Sequence, residues 1–160
     1  MSLTNRDIED LVAFRRELHR FPEISTEEEE TARRVAAFLA DTGADETVTG
    51  LGGHGVAFVY DSGRPGQTVL YRAELDALPI HEISDIPHRS TVAGKGHMCG
   101  HDGHMAILAA LGRQFGRQRP ATGRVVLMFQ PDEETGGGAA GVTADPRYEA
   151  IRPDFSFSLH

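Results

Sequence analysis

Apolar residues in the first forty positions recur at helical intervals, while beyond residue 45 they gather into short runs. Ile8, Leu11, Val12 and Leu18 fall near a 3.6-residue repeat. Thr4 with Asp7 three residues on supplies a helix start, and Phe21-Pro22 supplies its end. Ser25 with Glu28 predicts a capping box for a second helix, with Val35, Phe38 and Leu39 as its apolar face and Gly43 just past its C-terminus. Residues 47–49, 56–60 and 68–73 then read as strands between glycine-rich turns. A long loop over 76–98 follows. His104, Ile107, Leu108, Leu111 and Phe115 mark a third helix, closed near Gly116. The apolar, β-branched run RVVLMF at 124–129 predicts a buried strand. A short helix over 139–143 leads to a last strand, 155–159. Strands alternating with helices predict an α/β fold layered around a central sheet.

Composition narrows the function. With 39% hydrophobic and 25% charged residues, the 160 residues suit one soluble globular domain. No apolar run approaches the roughly 18 residues of a membrane span. The start MSLTNRDIED has neither a basic segment nor an apolar stretch, so no secretory signal and a cytoplasmic location are expected. A net charge of −8 without a basic stripe argues against nucleic acid. The four glutamates at 27–30 read as a solvated first helical turn. Cys99 is the single cysteine and cannot form an internal disulfide, which suits a reducing compartment and makes it a candidate for metal binding or catalysis.

Three segments carry polar residues that packing does not require. They are 71–76 (YRAELD) at a strand end, 97–104 (HMCGHDGH) at a helix start and 129–134 (FQPDEE) at the end of an apolar strand. Ligands of open α/β sheets gather beyond the carboxyl ends of the strands, so all three are expected on that edge. Thiolate and imidazole both suit first-row divalent cations, and Gly100 lets Cys99 and His101 turn toward one point. Asp102 and His104, on the first helical turn, are placed to orient ligands. Of the pair Glu133-Glu134, one carboxylate can bind metal while the other serves as general base. His160, at the end of the last strand, can complete the set. A structural alternative stands beside each: Asp102 as a helix cap, Cys99 as a small hydrophobe, and the glutamates as a solvated pair.

These motifs resemble the aminoacylase and carboxypeptidase family of dinuclear metallohydrolases. Within it, the similarity is to the amidohydrolase branch of hippurate hydrolase, N-acyl-L-amino-acid amidohydrolase and the plant auxin-conjugate hydrolases. The segment FRRELHRFPEIS at 14–25 is similar to the family's LRRELHRHPELS-like opening, and RAELDALP at 72–79 to its RADMDALP, with Glu74 in place of aspartate. CGHDGH at 99–104 is unchanged, FQPDEE resembles FQPAEE, and Leu159-His160 resembles a strand ending in Leu-His. The resemblance implies a three-layer α-β-α catalytic domain with a central mixed sheet, of which these 160 residues are the N-terminal part. In the family, a smaller domain for dimerisation and substrate cover, and one more ligand histidine, come after the position of His160. Full-length relatives are then expected to be homodimers.

The resemblance also implies metal ligands at Cys99, His101, Glu134 and His160, a general base at Glu133, and Asp76 as a carboxylate supporting the metals. The cofactors are two divalent ions, Zn2+ or Mn2+, with Co2+ or Ni2+ as alternatives. Such ions lie roughly 3.5–4 Å apart and bring the pKa of a water to about 7. The implied reaction is hydrolysis of the amide of a small N-acyl amino acid or related amide, with no nucleic-acid or membrane partner. Two rivals remain. One is a cysteine hydrolase with Cys99 as nucleophile and His101 or His104 as base. The other is a metal-binding fragment or interaction module without turnover.

Overall fold

In a computed structural model, residues 3–158 and 160 are described. Thr4 caps α1 (Asn5–Arg20) as its pattern predicts: its hydroxyl accepts from the Asp7 N–H at 3.2 Å, and the Asp7 carboxylate accepts from the Thr4 N–H at 2.7 Å. The buried stripe of α1 runs through Asp7, Leu11, Phe14 and Leu18. Ile8 and Val12, expected on that face, lie on its flank and are 49% and 42% exposed. The stripe is narrow because α1 packs mainly against one helix, α3 (His101–Arg117), whose Arg113 and Arg117 reach buried Asp7 at 3.1 and 2.6 Å.

The start of α2 (Glu29–Leu39) corrects the capping box. Glu28 makes no side-chain cap, and Ser25 points elsewhere. Glu23 caps the helix instead, accepting the Thr31 N–H at 2.6 Å and the Thr31 hydroxyl at 2.8 Å. The acidic run is not uniformly solvated either: Glu28 is fully buried and accepts the Asp132 N–H at 2.7 Å. Gly43 follows a 3-10 turn, Ala40–Thr42, in the left-handed conformation expected of a helix-terminating glycine.

The strands are β1 (Glu46–Leu51), β2 (Gly55–Asp61), β3 (Thr68–Glu74), β4 (Arg124–Gln130) and β5 (Phe155–Ser158). Leu159, predicted as the end of the last strand, lies outside the described residues. The sheet order is β1-β2-β4-β3-β5. β1, β2 and β4 pair antiparallel, while β3 runs parallel to β4 and β5, so the sheet is mixed.

Alternation along β2 and β4 divides two cores. Val56, Phe58, Tyr60, Val125, Leu127 and Phe129 face α1, α2 and α3. Ala57, Val59, Val126 and Met128 face α4 (Gly138–Ala144) and α5 (Tyr148–Ile151) through Val142 and Ile151. The fold is the expected three-layer α-β-α arrangement. Its third helix runs one residue past Gly116, which lies within the helix rather than closing it. No described helix is long and apolar enough to cross a membrane.

Candidate metal centre

Because β3, β4 and β5 are parallel, their carboxyl ends share one edge, and the three polar segments meet there. Glu74 and Asp76 lie at the end of β3, Glu133 and Glu134 in the turn after β4, and His160 beyond β5. Gly100, at φ 85°, precedes α3 in a conformation that L side chains rarely adopt, turning the chain so that Cys99 and His101 reach one cleft.

His101 is the hub. Its ring is fully buried, and Nδ1–H donates to the Asp76 carbonyl oxygen at 2.8 Å. Nε2 then faces Glu133 Oε2 and Glu134 Oε1, both at 3.7 Å, and His160 Nε2 at 3.4 Å. Among the described residues, the groupings able to offer ligand atoms within 4.8 Å of one another are Cys99–His101–His160, His101–Glu133–Glu134 and Glu74–His101–His104.

Asp76 anchors this hub from behind. Its carboxylate accepts the Ser25 hydroxyl at 2.7 Å and the Glu134 N–H at 2.9 Å. Burial raises its pKa, but the His101 ring beside it and the hydrogen bonds from Glu134 and Ser25 outweigh burial and bring the carboxyl down to about 2. Cys99 goes the other way. A hydrogen bond to Glu134, then burial and the charges of Glu134, Glu133 and Glu74, push its thiol up to about 11. A thiol so placed is a poor free nucleophile, which weighs against the cysteine-hydrolase rival.

The donor set fits a divalent cation. Thiol, imidazole and carboxylate converge, and the buried Glu134 Oε1 and Asp76 Oδ1 have no hydrogen-bond partner among the described residues. Positive charge in the cluster would reverse the penalty on the Cys99 thiolate. Asp102 stands apart: it accepts from His19 Nδ1 at 2.8 Å and Arg15 Nε at 2.6 Å, tying α1 to the start of α3.

Sequence reasoning missed Arg72, whose guanidinium lies 3.2 Å from Glu74 and 4.0 Å from Glu133, with Nε donating to Gln130 at 2.6 Å. The i, i+2 spacing of Arg72, Glu74 and Asp76 in a strand was the available signal. It also missed the role of Ser25, and buried His97, both of whose ring nitrogens lack a partner among the described residues and whose pKa burial lowers to about 4.

Known proteins with similar sequence and structure bear on this edge directly. YhaA of Bacillus subtilis (strain 168) is 40% identical over 133 residues, covering 82% of this chain and 33% of the relative. An N-acetyldiaminopimelate deacetylase of Listeria welshimeri is 32% identical over 153 residues, covering 96% of this chain and 41% of the relative. A crystal structure of the Bacillus subtilis YXEP protein, described as a dinuclear metal binding peptidase from M20 family, superposes with a TM-score of 0.89 at 30% identity, covering 99% of this chain and 44% of that one. The chain thus spans about a third to two fifths of the length of the curated relatives it matches. The model of the Peptidase family M20/M25/M40 matches residues 70–160, the stretch from β3 through both glutamates to His160, and the chain belongs to that family.

Proposed function

We propose that the protein is a metal-dependent amidohydrolase acting on N-acyl amino acids or related small amides, and that residues 1–160 are the N-terminal part of its catalytic domain. The observation that carries this is the convergence of Cys99, Glu133, Glu134 and His160 on the buried His101 at the carboxyl edge of the sheet. The deacetylase relative and the dinuclear metal binding neighbour support the same reaction class and a pair of divalent cations. Cys99, His101, Glu134 and His160 would hold them, with Zn2+ favoured by the thiol and Mn2+ as the alternative. When bound, the cations supply Lewis acidity toward the amide carbonyl and a more acidic attacking water.

The two glutamates differ in how they are held. Glu134 is fixed by its N–H on Asp76, with Oε1 buried, which suits a ligand. Glu133 is more open and sits beside Arg72 and His160, which suits a proton carrier. It takes the proton of the attacking water and delivers it to the leaving amine nitrogen. In the full-length protein, Glu133→Gln is expected to keep its metal and lose about a hundred- to ten-thousand-fold in kcat on an N-acetyl amino acid. Glu134→Gln and Cys99→Ala are expected to lose metal on dialysis, read by elemental analysis. Metal loss with Glu133→Gln but not Glu134→Gln would reverse the two roles.

A second reading, a metal-binding module without turnover, is favoured by the openness of the cleft, where Cys99 and His160 are exposed. Metal retention with no Glu133-dependent hydrolysis in the full-length protein would select it.

A further inference from the structure

The end of β3 and the residues just past it hold both histidines of α3 through Nδ1. The backbone carbonyl of Asp76 takes Nδ1 of His101 at 2.8 Å, and the side-chain carboxylate of Glu74, two residues earlier, takes Nδ1 of His104 at 2.8 Å. Glu74 is sealed from solvent, while the His104 side chain remains 20% exposed. A carboxylate oxygen only accepts, so Nδ1 of His104 is the donor, and the tautomer so set carries its lone pair on Nε2. The His104 ring centroid lies 5.8 Å from that of His101 and 6.2 Å from that of His160. With Nδ1 committed to Glu74, Nε2 is the ring nitrogen left for a ligand.

Glu74, His101 and His104 bring ligand atoms close together, yet the grouping is ill suited to a cation. One oxygen of Glu74 is bound to His104, and the other faces Nη1 of Arg72 at 3.2 Å. A guanidinium in that position repels a second positive charge. The lone pair of His104 is therefore free for a donor on the substrate.

We infer that His104, held through Nδ1 by Glu74, accepts a hydrogen bond at Nε2 from the N–H of the scissile amide and so favours amides over esters. The inference rests on the amidohydrolase reading above. His104 touches substrate, and Glu74 is a positioning residue acting through it.

The test pairs an N-acetyl amino acid with the O-acetyl 2-hydroxy acid of the same side chain, which has no N–H. In the full-length, Zn2+-loaded protein, His104→Ala is expected to lower kcat/KM for the amide by about tenfold. The ester should change by less than about threefold, and metal content should not change. Glu74→Gln, whose amide can donate to Nδ1 and turn the tautomer over, is expected to show the same selective loss, and Glu74→Asp to retain amide preference. Equal falls on amide and ester would overturn the inference, as would loss of metal from His104→Ala. Binding gives a separate readout that does not depend on turnover: the 15N shift of His104 Nε2 on adding the N-acetyl amino acid to Glu133→Gln protein. A shift with the amide but not the ester is expected, and no shift with the amide overturns the inference. Absence of hydrolysis in the unmodified protein counts against the proposed function and leaves this readout intact.

Discussion

Glu28 and Asp76 are both carboxylates sealed from solvent, yet their surroundings pull them in opposite directions. Asp76 has enough donors to stay ionised, down to about pH 2. For Glu28 burial dominates, and the Asp76 charge adds to it, so its carboxyl is raised above the ordinary 4.5. A raised acid favours the folded state most when it is protonated, at low pH, and that advantage is lost as pH rises through the folded value. Glu28→Gln, which can still accept the Asp132 N–H, is therefore expected to raise Tm at pH 7 by a few degrees, with the gain shrinking toward pH 4. Melting curves at both values check it, and a loss at pH 7 would mean that the charge is needed. At this scale the sequence was informative where chemistry is contiguous. Cys99 and His101 stand in one six-residue motif, and Glu133 with Glu134 in another. Ser25 was read as a helix cap because the local pattern fits one, while its true partner, Asp76, is 51 residues away.

Among the elements, α3 shows how close packing fixes what each position accepts. A Cβ on Gly116 would stand 2.2 Å from the carbonyl oxygen of Thr42, whereas one on Gly103 would meet nothing within 4 Å. Both glycines are helical, so alanine gains helix propensity at either site. Gly116→Ala is expected to cost a net ~1–3 kcal/mol because backbone must move. Gly103→Ala is expected to stabilise by about 0.4–1 kcal/mol. Denaturant melts of the two variants decide this, and equal effects would contradict the packing of α3 on the Ala40–Thr42 turn. Strong apolar runs made β2 and β4 legible, and the Thr4–Asp7 box made α1 legible. The one-turn α5 passed unseen because four residues carry no period, and the α2 cap was misassigned because Glu23 reaches it from outside the helix.

For the molecule as a whole, β5 is one of the sheet's two edge strands. It pairs with β3 on one side, and Phe155 and Phe157 stand 50% and 54% exposed. An edge strand with exposed aromatics favours pairing with another copy. The 160-residue chain by itself is expected to self-associate at high concentration and to hydrolyse N-acyl amino acids poorly. Phe155→Lys should shift it toward monomer in size-exclusion chromatography, while an unchanged profile would place the association elsewhere.

Asp76 has a consequence in time. Its carboxyl and carbonyl oxygens join segments 51, 25 and 58 residues away, at Ser25, His101 and Glu134. Closing such loops costs entropy that only the assembled sheet repays. A peptide carrying 97–104 alone has the donors without the frame, so under the proposed metal reading tight cation capture would wait for the assembled sheet. Cations that bound only the finished cleft would then pull the folding equilibrium forward by mass action.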